Sequence, residues 1–189
     1  MDISKKSRAP VYRAATREDL AEIAELEEQQ LGDLAYSLVV LRQLFDLHGS
    51  DWVVVDIGGR VCGYVLVGIN TSRRAWVLGL AVAADCQSRG FGTALLERAV
   101  AGCVAALVER VYITVRPTNP RAAKLYMSAG FHWAGYDQRY FGDGEPRDVF
   151  VHRIQRTPVG PPIAGPDDKR WLKESAAATN SRIPLLWWK

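Results

Sequence analysis

The sequence predicts one α/β domain, built on a mixed sheet with both hairpins and crossovers, and three observations carry that prediction. β-rich runs alternate with helix-period runs from residue 11 to about residue 154. Two β-rich runs, "DWVVVDI" and "RVCGYVLVGI", are joined by Gly58 and Gly59 alone, which makes them an antiparallel hairpin. Later strand-like runs are separated by helical segments, and such connections require crossovers. The 189 residues are 48% hydrophobic and 24% charged, enough apolar material for a proper core. A net charge of +3 suits a small phosphate-bearing partner but is too weak an imbalance to argue for nucleic acid.

Each element follows from its pattern. "VYRAAT", Val11 to Thr16, reads as a short first strand, and Thr16 with Asp19 forms a capping signal for a helix through "REDLAEIAELEEQQ". Leu20, Ile23, Ala24 and Leu26 give that helix an apolar stripe. Leu34, Leu38, Leu41, Leu44 and Phe45 keep helical spacing and predict a second helix over 34–47. The hairpin comes next, followed by a strand at "AWVLGLAV", Ala75 to Val82. From Thr93 to Val108, Leu95, Leu96, Ala99, Val100, Cys103 and Leu107 trace a buried helical face. "VYITV" is another strand, "NPRAAKLYMSAGF" a short helix ending near Gly130, "HWAGYDQRYF" a strand and loop, and "RDVFVHRI" the last strand.

Residues 1–10 are read as an N-terminal tail, 11–156 as the folded domain, and 157–189 as a different kind of segment. Five of the nine prolines fall after Thr157, so the sheet cannot continue there. The segment reads as a proline-rich linker and a docking piece ending in "LLWW", which packs on its own domain or forms a homodimer contact, with membrane contact the least favoured reading. No apolar run approaches membrane-spanning length, and the lysines of "MDISKKSRAP" are not followed by an apolar core, so the expectation is a cytoplasmic protein without membrane attachment. Cys62, Cys86 and Cys103 show no metal-ligand spacing, which favours reduced thiols and no metal. Cys86 stands out only because it adjoins a glycine turn. His48, His132 and His152 are scattered and are read as structural, and Trp52, Trp76 and Trp133 as core residues or cleft flanks.

The stretch "DCQSRGFGTALLERAV" carries the chemistry. A helix beginning near Gly90 to Thr93 offers backbone N–H groups with no intrahelical partner, at the positive end of its dipole. Glycines there let a pyrophosphate approach the backbone, and Arg89 adds charge at the rim. A nucleotide-triphosphate loop would need a lysine after its last glycine, and none follows. A dinucleotide fingerprint fails at Leu95, where its third glycine should stand. The pattern that fits is QxxGxG, formed by Gln87, Gly90 and Gly92 directly after the strand "LGLAV".

With that loop, "NPRAAKLYMSAGF" downstream, and the element order from Val11 to Ile154, the chain resembles the GNAT superfamily of N-acetyltransferases. Its closing region, "QRYFGDGEPRDVFV", is similar to the ribosomal-protein N-terminal alanine acetyltransferase branch. The resemblance implies a mostly antiparallel central sheet with helices on both faces, and acetyl-coenzyme A as cosubstrate, without a metal. It implies that Gln87, Ser88, Arg89, Gly90, Phe91, Gly92 and Thr93 hold the pyrophosphate, that Leu80, Ala81 and Val82 run beside the pantetheine arm, and that Asn119 hydrogen-bonds that arm. Tyr126 would protonate the departing thiolate, and Tyr140 and Glu28 would contact the acceptor. Asn119 also reads as a plain helix N-cap before Pro120, and Tyr126 as a core aromatic. Arg121 and Lys124 either reach the 3′-phosphate or are solvated, with solvation favoured.

The reaction implied is direct attack of an amine on a thioester, with backbone N–H groups stabilising charge on oxygen and an acid meeting the thiolate. Neutralising a lysine amine at neutral pH costs about 4–5 kcal/mol against about 1 for an α-amine, so an α-amine manages with a weaker base. The branch keeps a glutamate on the strand "VYITV", and the matching position here is Thr114. Glu27, Glu28, Asp137 or ordered water are the substitutes considered for the base. The acceptor implied is a primary amine of a protein N-terminus or lysine. A small-molecule amine is the alternative acceptor, and a non-catalytic acyl-coenzyme A binding module is the alternative function.

Overall fold

The structure is a computed structural model that describes residues 9–155. The expectations for the N-terminal tail before residue 9 and for 157–189, including the docking piece and the homodimer contact, lie outside the described residues. Seven strands form one sheet: β1 (Val11–Ala14), β2 (Val53–Asp56), β3 (Val61–Ile69), β4 (Arg74–Val82), β5 (Arg110–Val115), β6 (His132–Asp137) and β7 (Arg147–Arg153), in the order β1-β2-β3-β4-β5-β7-β6. Four helices accompany them: α1 (Leu20–Leu31), α2 (Leu38–His48), α3 (Phe91–Ala105) and α4 (Pro120–Ser128). Every strand pairing is antiparallel except β4 with β5. No helix among the described residues is long and apolar enough to cross a membrane.

Helices cover both faces, as the alternation of a strand requires. Tyr64 on β3 reaches Glu27 of α1, whereas a Cβ on its neighbour Gly63 would meet Val82, the side chain that also approaches Gly92 of α3. The core between these layers includes Ile23, Leu41, Trp52, Tyr64, Leu66, Leu95 and Leu96, none of them exposed to solvent. Trp52 secures its indole by donating from Nε1 to the Val67 carbonyl at 3.1 Å, so its polar edge is satisfied where water cannot reach.

Two helix boundaries differ from those predicted. The second helix starts at Leu38, not at 34, because Ser37 caps it by accepting from the Val40 N–H at 3.4 Å, which leaves 32–37 as a link between helices. The third helix stops at Ala105, short of the Val108 expected. Leu107 adopts a left-handed φ of 62°, and the Val108 N–H closes on the Cys103 carbonyl at 2.9 Å, so the buried Val108 belongs to the turn into β5.

Strand register is irregular at β4. Leu66 pairs with Gly79 and Val67 with Val77, so Leu78 is an extra residue, a bulge that bends β4. On its other side β4 pairs with β5 only at Arg74, Ala75 and Trp76. From Val77 to Val82 the two strands diverge, and β4 has no strand partner on that edge.

Candidate active site

The glycine loop sits where β4 ends. After a single 3-10 turn at Ala84–Cys86, Ser88 takes a φ of 61° and Gly90 a φ of 82°, so the backbone turns sharply into α3. Gly90 is the N-cap, no side chain caps the helix, and the first intrahelical bond of α3 is Ala94 N–H to the Gly90 carbonyl at 3.0 Å. The N–H groups of Ser88 to Thr93 therefore have no acceptor among the described residues. Six backbone donors at a helix N-terminus are an anion site by geometry alone.

A cleft of about 570 Å³ opens over these donors. Every loop and strand residue expected to hold the cosubstrate lines it except Arg89: Leu80, Ala81, Val82, Gln87, Ser88, Gly90, Phe91, Gly92, Thr93 and Asn119. Arg89 instead lies over the Phe91 ring, 4.9 Å from its centroid. Gln87 ties the loop to β4 by donating from Nε2 to the Val82 carbonyl at 3.0 Å. Arg121 of α4 also lines the cleft and donates to Gln87 Oε1 and Ser88 Oγ, each at 3.2 Å. Arg121 is exposed, as the solvated reading expects, and these two bonds also clip the loop to α4. Lys124 is exposed and does not line the cleft. Cys86 is buried at the cleft wall, and burial pushes the Cys62 and Cys103 thiols up to about 11.

A second cleft of about 460 Å³ adjoins the first, and Gln30, Leu31, Leu80 and Asn119 border both. Its walls come from the α1–α2 link (Asp33, Tyr36), the bulge of β4 (Val77, Leu78, Gly79), the end of β5 (Ile113, Thr114, Val115, with Arg116 beyond it), Phe141 and Arg147. Asn119 caps α4, accepting from the Ala122 N–H at 3.1 Å, and it lines both clefts.

Tyr126 is 8% exposed, packs against Phe131 and Phe150, and is not among the residues lining either cleft. Burial pushes its phenol up to about 12. Its helix neighbours Ala122 and Leu125 do line the first cleft. Tyr140 packs beside Trp76, with ring centroids 6.5 Å apart, and edge-on against Phe141 at 4.7 Å. Burial pushes its phenol up to about 12 as well. Glu28 is exposed and lines neither cleft.

Of the substitutes considered for a base, none lines the second cleft. Glu27 is fully buried: the Tyr64 hydroxyl donates to its Oε1 in a short hydrogen bond, and the Tyr36 N–H donates to its Oε2 at 3.1 Å. Burial drives its carboxyl above the usual range, opposed by those two donors. Asp137 is engaged at the β6–β7 turn, accepting from the Arg139 N–H at 2.8 Å. Sequence reasoning missed Asp33, Tyr36, Arg116 and Arg147. Ser37 before an apolar run was the local signal that 32–37 is a link, and it would have brought Asp33 and Tyr36 into view. Trp133, expected in the core or beside the cleft, is instead 60% exposed on the edge strand β6, with Nε1 donating to Asp148 at 2.8 Å.

Comparison with known proteins adds to this geometry. The model of the acetyltransferase (GNAT) family matches residues 14–131. An N-alpha-acetyltransferase of Sulfolobus acidocaldarius is 26% identical over 160 residues, covering 77% of this chain and 95% of that protein. A spermidine N(1)-acetyltransferase of Vibrio cholerae is 30% identical over 117 residues, covering 58% of this chain and 68% of that protein. In fold, the chain is similar to the crystal structure of the ribosomal-protein-S18-alanine N-acetyltransferase from Escherichia coli, with a TM-score of 0.69 at 20% identity over 82% of this chain and 100% of that one.

Proposed function

The chain belongs to the acetyltransferase (GNAT) family, and from that premise we propose that it transfers the acetyl group of acetyl-coenzyme A to a primary amine of a protein or peptide, by direct attack of the amine on the thioester. The observation that carries the proposal is the free edge of β4: from Val77 to Val82 it lacks a strand partner on the β5 side and contributes to the walls of both clefts. An extended pantetheine arm fits such an edge as an added strand would. Its diphosphate then falls to the unpaired N–H groups of Ser88 to Thr93, and its acyl end to the bulge at Leu78, where the second cleft begins. Backbone N–H at a bulge is a suitable donor for charge developing on the carbonyl oxygen.

The second cleft favours an α-amine. Asp33 is the one carboxylate among its described lining residues, against the guanidinium groups of Arg116 and Arg147. That lining offers a polyamine one carboxylate for its several positive charges, although a spermidine acetyltransferase is among the relatives. An α-amine is also about 3 kcal/mol cheaper to neutralise than a lysine amine, which suits a site where Thr114 lines the cleft in place of a carboxylate.

Tyr126, expected from the resemblance to protonate the departing thiolate, is proposed instead as a hydrogen-bond donor to it. A phenol held at about 12 stays protonated throughout turnover, so it serves the departing thiolate as a hydrogen-bond donor, since full transfer to a thiolate with an ordinary pKa near ~8.5 would be uphill. Tyr126→Phe is expected to lower kcat by about tenfold or more with little change in KM for either substrate. A loss below about twofold would leave Tyr126 a core aromatic only.

The function itself is tested by thiol release from acetyl-coenzyme A against a panel of peptides, polyamines and small amines. Release with peptide α-amines is expected. Tight binding of acetyl-coenzyme A without release against any member would instead favour the binding module.

A further inference from the structure

Arg147 is the polar residue of the second cleft that its surroundings explain least. It is 5% exposed, yet it lines the cleft. Its Nη1 donates to Glu145 Oε2 at 3.0 Å and to the Pro146 carbonyl at 2.7 Å, while Nε and Nη2 have no acceptor among the described residues. Glu145 does not neutralise it alone, because its other oxygen accepts from Arg116 Nη2 at 3.1 Å. One carboxylate thus serves two guanidinium groups, so the buried Arg147 shares its counter-ion with the exposed Arg116. The ring of Phe141, 4.8 Å from the guanidinium carbon, holds the planar fork in place. Asp33 is the remaining charged group of the lining, and it comes from the α1–α2 link with no ion pair to Arg147.

A buried guanidinium with unsatisfied donors is costly unless an anion completes it. We infer that Arg147 reads a carboxylate on the acceptor, so that the preferred amine substrate carries an acidic group close to the nitrogen that is acetylated. The acidic group is the side chain of a glutamate or aspartate at the start of a peptide, or the carboxylate of a free amino acid. Both present two oxygens to the free side of the fork. The inference rests on the proposed acetyl transfer and names the substrate class of the same site.

The test compares acceptors that differ in charge alone: peptides with Glu or Gln at the first position, peptides with Glu or Gln at the second, and free amino acids against their amides, all with acetyl-coenzyme A and thiol release as the readout. The acidic member of at least one pair is expected to win by about tenfold or more in kcat/KM, with the gain in KM, and the pair that shows it identifies the source of the carboxylate. Arg147→Met should erase that preference, bringing the acidic and neutral members of each pair to the same kcat/KM, and Arg147→Lys, which keeps charge but not the fork, should retain part of it. Should Arg147→Met fail to fold, the native comparison and the lysine variant decide. Equal rates within every pair, or a preference that survives both substitutions, overturn the inference while leaving acetyl transfer intact. No thiol release with any acceptor overturns both.

Discussion

Replacing Glu27 with alanine is expected to lower the free energy of unfolding by about 2–5 kcal/mol and to take most of the activity with it. The carboxyl is fully buried and accepts from two groups: the Tyr64 hydroxyl inside the core and the part-buried Tyr36 N–H of the α1–α2 link. Each donor left unsatisfied costs about 1–3 kcal/mol, partly offset by removing a desolvated acid. Activity follows because the same carboxyl lies under the bulge of β4: a Cβ on Gly79 would stand 2.8 Å from Glu27 Oε1. Gly79→Ala is therefore expected to damage the same unit from the opposite side, by displacing the carboxyl or lifting the strand. Urea denaturation of both variants, beside their thiol-release rates, checks the pairing.

Glu27 also gives stability a pH dependence whose sign is opposite to that of a salt-bridged acid. Its folded carboxyl titrates above the ordinary value near ~4.3, so the native state binds more protons than the unfolded chain between the two. Its stabilising contribution is complete below the unfolded pKa and is lost as pH rises through the folded one. Glu27→Gln, which cannot titrate, should flatten this part of the profile measured by denaturation from pH 4 upward. An unchanged slope would mean that Glu27 ionises in the fold at its ordinary pKa.

What was legible in the sequence is what has a local cause. The hairpin at Gly58 and Gly59, the glycine turn into α3 and the Asn119 cap each follow from one residue type meeting one backbone requirement, and the structure has all three. The acceptor side was not legible, because the link carrying Asp33 and Tyr36, the strand carrying Thr114 and the segment carrying Phe141 and Arg147 meet only through the sheet order. Nor could the strand runs reveal that β4 and β5 pair over three residues and then separate, since a diverging strand has the same apolar pattern as a paired one. The end of α3 was missed for a related reason: the stripe runs on through Leu107, and the stop comes from Val108 being required in the core.

Replacing Gly90 with valine is expected to weaken binding of acetyl-coenzyme A by about tenfold or more, at least 1.4 kcal/mol, with a smaller loss of kcat at saturation. Two costs fall on the substitution. Gly90 holds a φ of 82°, where a β-branched residue is strained by about 1–3 kcal/mol, so the loop shifts toward negative φ and carries its N–H groups out of alignment. The second cost belongs to the ligand. A Cβ at Gly90 would meet no protein atom within 4 Å, so the space beside it is open to the diphosphate, and a side chain there would hold the anion away from the donors. Gly102 in the same helix provides the control: it too has open space and no positive φ, so Gly102→Ala should stabilise α3 by about 0.5–1 kcal/mol without changing affinity. Calorimetric titration with coenzyme A separates the two glycines. Affinity that survives valine at position 90 would remove the loop from the binding site, and with it the alignment that places the thioester at the bulge of β4.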